Sequence, residues 1–168
     1  MKRILPALVC GFGAGVLNTV PIIKNFSCCL IVPVAAIFAL MLDQRANGSQ
    51  DHFVNSGKAI KMGLLTGLFA AIFATVFDLL VIFLTKQSDL AAGLPEIEQM
   101  VSRVAATDVS RDMLNLFYKM NDDIVNYGFS ALYTFSMFMS SIVVDSIMGL
   151  VGGLFGMQVI NNRIKRDM

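Results

Sequence analysis

Residues 62–84 form one apolar stretch, MGLLTGLFAAIFATVFDLLVIFL, in which Asp78 is the sole charge. A helix needs about 20 such residues to cross the hydrocarbon of a bilayer. Inside lipid the backbone has no water to bond, so the stretch must close its own hydrogen bonds as a helix. Three further apolar runs, at about residues 4–23, 26–42 and 133–160, meet the same requirement. The expected fold is therefore all-α: a polytopic membrane protein, one membrane domain over residues 1–168, built as a four-helix bundle of four transmembrane helices.

Composition agrees with this. Hydrophobic residues make up 56% of the chain and charged ones 15%, where soluble domains carry about 25% charge. The formal net charge of +1 gives no basic surface for nucleic acid. The first residues, MKRILPALVCGFGAGVL, imitate a signal peptide. The apolar run continues to Ile23 without a small-x-small cleavage site, so it is expected to stay as a helix. Val9 before Cys10 is not the small residue that a lipoprotein site wants. Pro33 inside the second run predicts a kink there.

Lysine and arginine set the orientation. Lys2, Arg3, Arg45, Lys58, Lys61, Arg163, Lys165 and Arg166 fall on one side of the four spans. Lys24, Lys86, Arg103, Arg111 and Lys119 fall on the other. The positive-inside rule then places both termini in the cytoplasm. Residues 85–127 become an external insert. Leu94, Ile97, Val101 and Val104 recur there at helical spacing, as do Met113, Phe117, Met120, Ile124 and Tyr127. That spacing predicts two amphipathic helices, with Pro95 in the first turn of one and Ser110 capping the other.

Small residues recur in stripes. Gly11 and Gly15 mark the first segment, Gly63 and Gly67 the third, and Gly149, Gly152, Gly153 and Gly156 the fourth. Such stripes let membrane helices approach closely, because lipid supplies no hydrophobic drive between them. Asp78 and Asp145 each sit within a stripe. Asp78 precedes Thr85 by seven residues, on the order of 10 Å into the membrane. Asp145 is expected at a similar depth on an antiparallel helix. Asn18, Thr75 and Ser141 are the polar residues expected beside them. Two functions follow for this pair: hydrogen-bonding glue between helices, or an intramembrane proton or cation site.

Metal chemistry has no support here. Cys28 and Cys29 are adjacent, about 100° apart on a helix, and His52 is the only histidine. No spacing suits zinc, and Cys10, Cys28 and Cys29 all lie in apolar segments, so no disulfide framework is expected. No phosphate loop, nucleophile elbow or HExxH motif occurs. The chain is expected to be non-catalytic and to hold no cofactor.

A glycine-rich first segment, Pro21, a tight turn with Asn25 and the vicinal Cys28–Cys29 precede a short polar loop and KMGLLTGLFAAIFA. Together these resemble a group of small bacterial four-helix membrane proteins of unknown function, over about residues 4–77. The resemblance implies a multi-pass protein of the bacterial inner membrane and brings no activity or functional residues. The insert departs from the compact form of that group. The expected role is an accessory or structural subunit, packing with the lipid bilayer, with copies of itself or with a larger membrane complex. The rival expectation is proton or cation conduction through Asp78 and Asp145.

Overall fold

The computed structural model describes residues 4–20, 30–46, 48, 52–86, 89–103 and 108–167. Among them the chain is all α, with six helices and no strand. These are α1 (Leu5–Asn18), α2 (Val32–Ala46), α3 (Ser56–Thr85), α4 (Asp89–Arg103), α5 (Asp108–Tyr127) and α6 (Ala131–Asp167). Pro21, Asn25, Cys28, Cys29 and Val104 lie outside the described residues.

Two helices, α3 and α6, are long and apolar enough to cross a membrane, against the four expected. The 14 residues of α1 rise only ~21 Å, less than the ~30 Å of a hydrocarbon core. Its last turn closes on itself, with the Thr19 hydroxyl donating to the Val16 carbonyl at 2.6 Å. The 15 residues of α2 end in Asp43, Gln44 and Arg45, which shortens its apolar part further. Leu30 and Ile31, in π-helical geometry, lead directly into α2 at Val32, and Pro33 is its second residue.

Both long helices extend past their apolar stretches. Asn55 starts α3: its carbonyl accepts from Lys58 and Ala59, and its Oδ1 accepts from the Gly57 amide at 3.4 Å. That N-terminal cap carries the helix back through Lys58 and Lys61, which the sequence had put before the span. At the other end Lys86 takes a left-handed φ of 52°, and its amide donates to Ile82, closing the helix. In α4 the sequence placed Pro95 in the first turn, but Pro95 lies inside the helix. Ala91 and Ala92 favour helix strongly enough to start it earlier, and Pro95 is exposed. Ser110 likewise falls within α5, which begins at Asp108, and is not its cap.

The chain divides into two compact units. The first comprises Met1–Phe77 and Met137–Met168, and the second Asp78–Ser136. In the first unit α1 packs on α2. Gly11 and Gly15 bring α1 against Phe69 and Phe73 of α3, where Phe12 meets Phe73 edge-on at 5.1 Å. Gly63 and Gly67 bring α3 against Gly149, Gly153 and Asp145 of α6. Gly152 and Gly156 bring α6 against Pro33 and Ile37 of α2. The buried residues between these helices are mostly small, including Ala7, Ala14, Ala36, Ala39, Ala59 and Ala70. Many large apolar side chains point outward, among them Phe38, Val143, Ile147 and Phe155.

In the second unit α4 and α5 pack together, burying Leu94, Met120 and Ile124. Gly128 follows α5 with a φ of +71°, and its amide donates to Ile124 at 2.8 Å. A left-handed residue there ends the helix at little cost only when it is glycine.

One contact ties the loop before α3 to the far end of α6. Asn161 accepts from the Val54 amide at 2.8 Å and donates to the Val54 carbonyl at 3.2 Å. Val54 is buried. Asn161→Ala removes both bonds and strands the Val54 amide, so it is expected to lower stability by about 2–3 kcal/mol. Thermal melting in detergent checks this, and a variant that melts with the parent refutes it.

Candidate functional site

Asp145 lies on α6, one turn before Gly149. Residues i and i+4 share a helix face, so the glycine stripe that lets α6 approach α3 also carries Asp145 into the contact. Gly67 of α3 stands directly against the Asp145 backbone carbonyl and Ser146 Cα, so closely that an added Cβ would collide with both. Asp145 is 3% exposed, and its Oδ2 is buried without a hydrogen-bond partner.

The other expected residues have their own surroundings. Asp78 is buried on α3 at 8% exposure and belongs to the second unit, whereas Asp145 belongs to the first. Thr75 is buried, but its hydroxyl donates to the Ala71 carbonyl of its own helix at 2.8 Å. Such a back-bond satisfies the hydroxyl locally. Asn18 ends α1 half-buried, and Ser141 is half-buried on α6. Among the described residues no group of three or more His, Cys, Asp or Glu could hold a metal ion.

An unsatisfied buried polar oxygen costs about 1–3 kcal/mol. Asp145→Ala removes that oxygen and introduces the best helix former. It is expected to raise the melting temperature by about 2–4 °C for each kcal/mol recovered. A fall would show that Asp145 holds the two helices together.

A second polar cluster escaped the sequence reading, which ended the second apolar run at about residue 42. Asp43 is in fact a buried position near the end of α2, after Val32, Ala36, Ala39 and Leu40. Its Oδ2 lies 2.6 Å from Lys58 Nζ, with the Asp43 side chain 2% exposed and that of Lys58 39%. Beside it, Gln44 is buried and donates to the His52 carbonyl at 3.2 Å. Steps of four and three from Val32 to Asp43 continue the buried face, and that spacing was the signal available. Buried Thr66, whose hydroxyl donates to Met62, also went unremarked.

These features define a helical protein with two helices capable of crossing a membrane. No family model, curated protein or solved structure matches the chain. The likeness of residues 4–77 to small bacterial membrane proteins thus brings no family assignment.

Proposed function

We propose that the protein is a non-catalytic subunit of a membrane assembly, anchored in a bacterial inner membrane by α3 and α6. In this reading α1 and α2 are short apolar helices held against that pair within the bilayer, completing a four-helix bundle. Both termini face the cytoplasm. The observation that carries it is the unbalanced surface of α5. Met113, Leu116 and Val125 are exposed on the same helix as exposed Lys119 and Asp122. A helix that keeps apolar side chains open beside charged ones offers a contact surface. The glycine stripes are occupied inside the first unit. They move the expected contact to α5.

The test is the mass of the full chain in mild detergent. A stable homo-oligomer, or a complex with a second chain, that dissociates on Met113→Ser/Leu116→Ser supports the reading. A monomer with no stoichiometric companion overturns it.

Proton or cation conduction is the second reading, favoured by the buried, unpartnered Oδ2 of Asp145. Proteoliposome flux that is lost in both Asp78→Asn and Asp145→Asn, with folding intact, would establish it over the subunit reading. Absence of flux in the parent removes it.

A further inference from the structure

We propose that one end of the first unit is a platform for anionic phospholipid headgroups. The ends of three helices, α2, α3 and α6, meet there. Lys58 joins the first turn of α3 to the buried end of α2 through Asp43. Asn161 joins the last turns of α6 to Val54, just before α3. Gln44 adds a bond to the His52 carbonyl. The end is thus held by its own polar contacts, which consume Asp43 and Lys58. What it presents outward is basic. Arg45 on α2, Lys61 on α3, and Lys165 and Arg166 on α6 are all exposed. Arg163 is exposed as well and has an interaction of its own. Asp51 and Asp167 are the remaining acids in these segments, and the exposed basic residues outnumber them.

Clusters of lysine and arginine at the ends of membrane helices attract anionic headgroups. The flank below the basic end favours a lipid over a soluble anion. Ile60, Leu64, Phe155 and Val159 are exposed on the adjoining turns of α3 and α6. A diacyl phospholipid can set its phosphate against the basic side chains and its chains along that apolar flank. Free phosphate can use only the first of these.

This inference rests on the membrane reading above, and one experiment separates the two. The full chain is first tested for extraction from membranes by alkaline carbonate. Release without detergent sinks the membrane reading itself. The chain purified in detergent is then titrated, by native mass spectrometry, with phosphatidylglycerol and with phosphatidylcholine of the same acyl chains. Phosphatidylglycerol is expected to bind at least about tenfold more tightly, with each lost charge costing about fivefold. Arg45→Gln/Lys61→Gln/Lys165→Gln/Arg166→Gln should abolish the preference, and Lys61→Arg/Lys165→Arg should keep it. High salt should weaken the preference in the parent, a readout independent of any variant's folding. Lys58→Gln should lower the melting temperature yet keep the lipid preference, because Lys58 is committed to Asp43. Equal binding of the two lipids, a preference that survives the fourfold variant, or equally tight binding of inorganic phosphate would overturn the proposal.

Discussion

Gly67→Ala is expected to destabilise the protein by about 3 kcal/mol, the upper range for forcing a methyl group into a packed contact. The added Cβ would enter the space of the Asp145 carbonyl and the Ser146 Cα, both main-chain atoms. A side chain can rotate away from such an intrusion, but two helix backbones must separate. Separating them would disturb the Gly63 and Gly149 contact one turn away as well. Gly13→Ala and Gly57→Ala are the controls, because an added Cβ meets nothing within 4 Å at either position. Both should be neutral or slightly stabilising, since alanine is the better helix former. Melting curves of the three variants decide the matter. If Gly67→Ala melts with its controls, the α3–α6 contact is looser than described here.

Lys58→Met is expected to cost up to about 3 kcal/mol, because it takes the lysine partner away from a buried carboxylate. The reverse change should cost less. In Asp43→Asn the lysine keeps its charge, but its side chain is 39% exposed and can turn to water. About 1 kcal/mol is expected there, in line with a solvent-screened ion pair. The double variant should lose less than the sum of the two, because no charge is left stranded. Denaturant or thermal unfolding of all four proteins measures that difference. Strict additivity would mean that Asp43 is stabilised by groups other than Lys58.

The long helices were the legible part of the fold. A continuous apolar run such as residues 62–84 admits few alternatives to a helix, and α3 covers all of it. Its start was not legible, because Lys58 and Lys61 look like loop residues until Asn55 is seen capping the helix. The amphipathic pattern of the insert anticipated two helices, which appear as α4 and α5. Spanning length was misjudged for α1 and α2, since hydropathy alone does not say where a run stops being helical. Thr19 marks the end of α1 by its bonding to the Val16 carbonyl. The candidate site was legible in part. Helical spacing put Asp145 on the glycine face of α6, and the contact of Gly67 with its carbonyl agrees with that. The same spacing left Asp43 out, because an acid beside Gln44 and Arg45 resembles solvated loop. Only the burial of Asp43 and its lysine partner reveal the clasp.

The contact between α3 and α6 is made largely by Gly63, Gly67, Gly149 and Gly153, with Ala59 beside them. None of these residues has a rotamer to lose. Freezing long side chains can cost up to about 2 kcal/mol each in conformational entropy, whereas glycine and alanine lose none. Joining the two helices therefore immobilises almost nothing beyond the helices themselves. Large side chains such as Phe155 and Ile147 lie on the outside, where they keep their freedom. What binds α3 to α6 is dispersion between main-chain atoms, with Cα–H groups near the carbonyls of Gly63, Gly149 and Asp145. Such a seam has little slack to take up. It should either hold in register or part as a whole.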